Sequence, residues 1–251
     1  LRILVFGDLH GENRWQNHVE KINQYDYIVF MGDYMDSFTH MDVELIENLN
    51  NIINFKATYP NKVICLLGNH DNQYIYPDYP ETRCSGFRSH LLIRAKARYK
   101  GNLDLFDTAF QTEDILFTHG GLLKIHYDAL NRINQKQNNQ RYDAYLNEMF
   151  KEKPRTMFGV SAIRGGGDSH SGIFWTDWRE LISEKESLPI NQVVGHTANF
   201  GGEFHSKNGK FFFNADSILK NDTFHEIYKN PNNDWIVETK NLSVSKKLIT
   251  V

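Results

Sequence analysis

Six residues spread along a 251-residue chain carry the donor chemistry of a metal site: Asp8, His10, Asp33, Asn69, His119 and His196. Three imidazoles, two carboxylates and one side-chain amide suit borderline divalent cations such as Mn, Fe and Zn. Asp8 and His10 are two apart on a segment expected to be extended, so both side chains leave the backbone on the same side and can hold one ion. Two cations kept about 3.5–4 Å apart repel each other, which calls for a carboxylate between them, and Asp33 is placed for that bridge. Asn69, His119 and His196 complete the second position. Any one of these residues, met after a buried strand, is as well explained as a helix cap or a satisfied polar group. Their recurrence in one context is what points to a divalent-metal site, and no Ser or Cys nucleophile motif competes with it.

That context is an apolar run that ends abruptly in polar residues. Run 3–6 leads into Gly7-Asp8-Leu9-His10-Gly11, and run 27–31 into Gly32-Asp33-Tyr34-Met35-Asp36. Run 63–67 leads into Gly68-Asn69-His70-Asp71, run 115–117 into Thr118-His119-Gly120-Gly121, and Val193-Val194 into Gly195-His196-Thr197. Short runs bounded by glycine and rich in β-branched residues read as strands buried on both faces. Helical spacing lies between them: Trp15, Val19 and Ile22 share one face, as do Leu45, Leu49 and Ile52, with Ile46 and Ile53 widening the stripe. Segment 86–100 places Leu91, Leu92, Ala95 and Tyr99 for a helix packed on a sheet. The alternation of strand and helix indicates an α/β fold.

Residues 122–189 interrupt the pattern. A helical part from about 123 to 150 precedes the glycine-rich Arg164-Gly165-Gly166-Gly167-Asp168 and the aromatic Phe174-Trp175-Thr176-Asp177-Trp178-Arg179. The segment is read as a helical and irregular connection passing over the strand ends, within one domain spanning 1–251. Beyond it, Asn208-Gly209 between 203–207 and 210–213 signals a type I′ hairpin turn, and 231–234 a further turn.

Composition excludes several classes. A net charge of −3 with 40% hydrophobic and 24% charged residues gives no electrostatic reason for general binding to nucleic acid or anionic membrane. No apolar run approaches the roughly 20 residues of a spanning helix. Cys65 and Cys84 form neither a disulfide framework nor a CxxC pair, so both are expected to be reduced in a soluble, cytoplasmic protein. Most of the remaining histidines, His18, His40, His90, His126, His170, His205 and His225, read as surface residues.

The five polar blocks together resemble the signature of calcineurin-like metallophosphoesterases, in order and approximate spacing, over about residues 2–216. The resemblance is closest to the phosphoprotein phosphatase branch, which includes bacterial and phage phosphatases and symmetrical diadenosine tetraphosphatases. It implies two mixed β-sheets packed as a sandwich and flanked by helices in four layers. It also implies two divalent metal ions, with Mn foremost and Fe or Zn as alternatives. Asp8, His10 and Asp33 would hold one; Asp33, Asn69, His119 and His196 the other. His70 is then not a ligand but the acid that protonates the leaving-group oxygen, oriented and kept charged by Asp36. The other explanation is that Asp36 and His70 merely satisfy each other beside the ligands.

The chain departs from the eukaryotic members of that branch. Ser37-Phe38 stand where they carry Arg and Gly after the dyad Asp, and Leu67 stands where another Arg precedes Gly-Asn-His. Arg179 follows Trp178 where related bacterial enzymes often have an Arg, which makes it a candidate phosphate clamp, or else a surface Arg stacked on that Trp. Arg164, beside three glycines, is a second candidate. Asp216, in Asn214-Ala215-Asp216-Ser217, would support a ligand His or end a strand. The aromatic stretch 74–80 either stacks on a substrate ring or packs a loop. The expected substrate is phosphorylated: a phosphoprotein or small monoester for a serine/threonine phosphatase type, with a nucleotide-directed polyphosphatase or phosphodiesterase as the alternative. A scaffold without activity is disfavoured, because nothing would retain all six ligands and the dyad.

Overall fold

The computed structural model describes residues 1–137 and 140–243. In chain order the strands and helices are β1 (Arg2–Phe6), β2 (Tyr27–Phe30), α1 (Asp42–Thr58), β3 (Val63–Cys65), α2 (Asn69–Ile75), α3 (Leu92–Lys100), β4 (Ala109–Gln111) and β5 (Ile115–Thr118). The connection contributes α4 (Lys124–Ile133), α5 (Tyr142–Glu152) and α6 (Trp178–Ser183). Then follow β6 (Asn191–Val194), β7 (Glu203–Lys207), β8 (Lys210–Asn214), α7 (Ile218–Asn221), β9 (Thr223–Lys229) and β10 (Trp235–Asn241).

Two mixed five-stranded sheets result, ordered β10-β9-β1-β2-β3 and β4-β5-β6-β8-β7. Within the first, β1, β2 and β3 run parallel while β9 returns antiparallel beside β1, Ile3 opposite Ile227. Within the second, β5, β6 and β8 are parallel and β4 and β7 flank them antiparallel. Strand alternation explains the layers, since successive side chains leave opposite faces. Ile3, Val5, Val29 and Met31 of the first sheet meet Ile115, Phe117, Val193 and Phe213 of the second in one apolar layer. Their neighbours Leu4, Phe6, Ile28 and Phe30 turn outward onto Leu45, Leu49 and Ile52 of α1. On the far face of the second sheet, Val194 and Phe212 pack on Trp178 and Leu181 of α6. Each parallel strand is therefore buried on both sides, as its continuous apolar run requires.

The hairpin forms as the Asn-Gly pair dictates, with Asn208 at φ 53° and Gly209 at φ 70° between β7 and β8. The turn at 231–234 joins β9 to β10, with Asn233 at φ 68°. The spacing of Trp15, Val19 and Ile22 does not produce an α-helix. Two short 3-10 turns, Arg14–His18 and Ile22–Gln24, replace it, with Lys21 at ψ 41° breaking the winding between them. Trp15 and Ile22 are buried all the same, and the Trp15 indole donates to Asn48 Oδ1 of α1 at 2.9 Å, so packing rather than continuous winding satisfies the pattern. Two of the seven remaining histidines, His126 and His225, lie in the interior rather than on the surface. Cys65 and Cys84 are unpaired. No described helix is long and apolar enough to cross a membrane.

Candidate metal centre and active site

Parallel pairing places the C-terminal ends of β1, β2 and β3 on one edge of the first sheet, and the ends of β5 and β6 on the facing edge of the second. Loop hydrogen bonds fasten these ends together: His10 N donates to Asp33 O at 2.7 Å, and Gly195 N to His119 O at 2.6 Å. The turns are tight enough to strain the backbone. His10, Asp33, Asp36 and His196 all adopt left-handed φ values, 45°, 53°, 62° and 67°, which non-glycine residues visit at a cost. Gly68 is required by close approach, since a Cβ there would lie 2.0 Å from Asp33 Oδ1.

Of the six residues named from sequence, His10, Asp33, Asn69, His119 and His196 bring donor atoms together, with His70 beside His10 and Asp33, while Asp8 lines the same cleft without joining a close donor group among the described residues. Asn69 Oδ1 lies 2.9 Å from His119 Nε2 and 2.9 Å from His196 Nδ1, and Asp33 Oδ2 lies 3.5 Å from His119 Nε2. Donors around a cation with bonds of ~2.1 Å sit ~3.0–3.4 Å apart, so this set fits an ion. The same Asp33 Oδ2 lies 3.6 Å from His10 Nε2, between imidazoles from the two groups. The outer nitrogens are used up by carbonyls. His10 Nδ1 donates to Asp36 O at 2.8 Å and His119 Nδ1 to Met31 O at 2.8 Å, which leaves Nε2 of each ring with a lone pair turned inward. Asp8 accepts from His196 N at 3.1 Å.

Electrostatics point the same way. Burial holds His10 and His119 down at about 3 and His196 well below the ordinary imidazole range, so all three are neutral donors. Burial, with Asp216 and Asp33 beside it, pushes Asp8 well above the usual carboxylate range, and burial raises Asp33 to about 8. Buried carboxylates facing one another need a counter-charge, which bound cations would supply.

Asp36 and His70 meet beside this centre. His70 Nδ1 lies 3.0 Å from Asp36 Oδ2, and Asp36 also accepts from Gln73 Nε2 and Tyr74 Oη, so the carboxylate is held rigidly. Burial opposes charge on His70, but the Asp33 carboxylate and the Asp36 hydrogen bond overcome it and hold the ring well above its ordinary value. Asp71, the fourth residue of the Gly-Asn-His block, faces the interior. It accepts from the amides of Asp33, Tyr34 and Gly68 at 2.9, 3.0 and 2.8 Å and from Tyr99 Oη at 2.5 Å. It thereby caps α2 and locks the end of β2 to the end of β3.

The cleft over these groups has a volume of about 510 Å³ and is lined by Arg83, Cys84, Arg164, Trp175 and Asp216 besides the ligands. Arg164 is brought in by the connection, its Nε 3.0 Å from Asp177 Oδ2 and its terminal nitrogen donating to Thr197 Oγ1 at 2.6 Å. Arg179 is not brought in: its side chain is 71% exposed, outside the lining, and pairs with the other side of Asp177 at 2.8 Å. The sequence reading passed over Arg83, which lies in an irregular stretch without periodicity or motif. It also passed over Trp175 as a cleft residue, although its aromatic block was noted; its indole packs edge-on against His196. The aromatic stretch 74–80 packs, with Tyr76 and Tyr79 stacked at 5.5 Å against Phe158.

A family model described as calcineurin-like phosphoesterase matches residues 1–238. The chain belongs to that family. Calcineurin-like phosphoesterases are metal-dependent hydrolases built around a dinuclear centre, and the clustered donors of this chain suit one. It is 31% identical over 204 residues to a protein of Schizosaccharomyces pombe whose name marks it as a candidate serine/threonine-protein phosphatase, covering 76% of this chain. The chain spans 63% of that protein's length. Among solved structures it resembles a cold-active protein-tyrosine phosphatase of a psychrophilic Shewanella species, at 17% identity and a TM-score of 0.59, over 96% of this chain and 80% of the other. A point mutant of a cold-active protein tyrosine phosphatase matches over the same shares at a TM-score of 0.58 and 17% identity. Both likenesses concern the fold.

Proposed function

We propose that this phosphoesterase is a phosphomonoesterase of the serine/threonine protein phosphatase type, working with two Mn ions. The observation that carries the reading is the pair of guanidiniums, Arg83 and Arg164, on the lining of the cleft that also holds His70. A monoester is a dianion, and two cations beside the metal donors, Arg164 held by Asp177 and Thr197 and an exposed Arg83, match its charge better than that of a monoanionic diester. A neighbouring groove of about 720 Å³, lined by Glu12, Glu44, Glu47 and Asp222 against a single Arg14, is unfavourable to a polyphosphate leaving group. The phosphatase name of the fission-yeast relative agrees with this choice.

In this reading Asp8, His10 and Asp33 hold one ion, and Asp33, Asn69, His119 and His196 the other. When bound, the ions lower the pKa of water and offset charge on the phosphoryl oxygens. Arg164, braced by Asp177 and Thr197, grips the phosphate and fixes its approach, while Arg83 covers its outer side. With Nδ1 engaged by Asp36, the proton His70 can give to the departing oxygen is the one on Nε2. Unpaired Cys65 and Cys84 suit a reducing compartment such as the cytoplasm.

The test is a substrate panel on Mn-loaded protein: a phosphopeptide, an aryl monoester, an aryl diester and diadenosine tetraphosphate. The two monoesters should be turned over with kcat/KM at least about 100-fold above the other two, a transition-state preference of ~2.7 kcal/mol. A kcat/KM for diadenosine tetraphosphate equal to or above that for both monoesters would instead make the enzyme nucleotide-directed.

A further inference from the structure

Asp8 has a second carboxylate beside it that none of the roles above uses. Asp216 follows β8 and is only 2% exposed, yet it lines the cleft together with Asp8 and His10. Its backbone is fixed on both sides. The amide donates to Asn214 Oδ1 at 3.1 Å, the carbonyl accepts from Asn199 N at 2.8 Å, and Ala215 N continues the ladder to Val194 O at 2.7 Å. Gly7 makes the approach possible, because a Cβ there would lie 2.5 Å from Ala215 O and 2.8 Å from Asp216 Cα. Among the described residues Asp216 Oδ1 is buried with no hydrogen-bond donor, and no Lys, Arg or His lies within ion-pair distance of this carboxylate. Buried polar atoms are otherwise almost always paired, and a buried carboxylate facing another carboxylate is the costliest exception.

We infer that Asp216 is a further carboxylate of the metal position formed by Asp8 and His10. The inference rests on the two-cation reading of the site and deepens it. With Asp216 included, this position draws on three carboxylates and one imidazole, whereas the other draws on one carboxylate, one amide and two imidazoles. Oxygen-rich sets suit Mn and Mg, while imidazole-rich sets suit Zn and Fe. The two positions therefore differ in preference, with the Asp216 side the more selective for a hard cation.

The experiment is Mn titration of metal-stripped wild type and Asp216→Asn by calorimetry, with elemental analysis of ions retained after dialysis and melting curves with and without Mn. Wild type should bind two ions. Asp216→Asn should keep one with unchanged affinity and bind the other at least 10-fold more weakly. Stripped Asp216→Asn should melt higher than stripped wild type, because a facing charge is gone, and should gain less on adding Mn. A residue that merely braces the turn gives the opposite sign, a stripped variant that melts lower or fails to fold, and that result overturns the inference. So do two ions bound by the variant with wild-type affinities. Fewer than two ions in wild type overturns the two-cation reading itself, and this assignment with it.

Discussion

His70 carries the sharpest expectation at the scale of single residues. If its Nε2 proton goes to the leaving group, His70→Asn should cost about 10²–10⁴-fold in kcat on an alkyl phosphate and far less on a nitrophenyl ester, whose leaving group needs no proton. Equal losses on both substrates would contradict the acid role. At this scale the six residues that the structure places at the strand ends around the cleft stood out in sequence because each sits in a glycine-flanked polar block after an apolar run. The arginines were not. Arg164 and Arg179 both pair with Asp177, and only the path of the chain into α6 decides that Arg164 enters the cleft while Arg179 faces solvent. Left-handed φ values at His10, Asp33, Asp36 and His196 were equally hidden, since nothing in their residue types announces them. The strain is imposed by the ladder and loop bonds around them.

At the scale of elements, the site depends on how firmly strand ends are tied, and Asp71 is the knot. Asp71→Asn exchanges an acceptor of three backbone amides and a tyrosine hydroxyl for a group that presents its own N–H to them. Charged hydrogen bonds of this kind are worth ~1.5–3 kcal/mol each, and partial rearrangement should leave a net loss of about 2–4 kcal/mol. Urea unfolding of the variant checks this; a midpoint unchanged from wild type would make Asp71 dispensable. The run-then-block pattern revealed β1, β2, β3, β5 and β6, and the 3.6-residue spacing revealed α1 and α3. It misled at 15–22, where a polar segment between two strands is wound into 3-10 turns by the demands of burying Trp15. The short strand β4 went unnoticed because Ala109–Gln111 offers no apolar run of its own.

At the scale of the whole molecule, the donors come from both layers: Asp8, His10, Asp33 and Asn69 from the first sheet, His119 and His196 from the second. Bound cations should then resist separation of the sheets, so chelation should lower Tm, and free Mn at about 1,000 times its Kd should add ~4 kcal/mol per ion. A Tm indifferent to chelator would mean that the layers hold without them. A second global expectation concerns acid. Burial lowers His126 of α4 to about 3, against ~6.5 for an unfolded imidazole. The fold holds the neutral ring, so its contribution is complete above pH ~6.5 and is lost as pH falls toward 3. By pH 5 about 2 kcal/mol has gone. His126→Phe keeps a ring in place and gives up no bond at the unpartnered Nε2, so it should flatten the fall in Tm between pH 7 and pH 5. An identical slope in the variant would assign acid lability elsewhere. The sandwich itself was anticipated through family resemblance, whereas the strand order was not, because nothing local states that the last strands return to the first.

That return sets the timing of synthesis. β1 leaves the ribosome more than 200 residues before the strand that covers its outer edge, since β9 begins only at Thr223. Until then Arg2–Phe6 offers a row of unpaired amides and carbonyls to any passing strand. A nascent or truncated chain ending before Thr223 is therefore the form in which this protein is most exposed to aggregation, and the one for which a chaperone has most to shield.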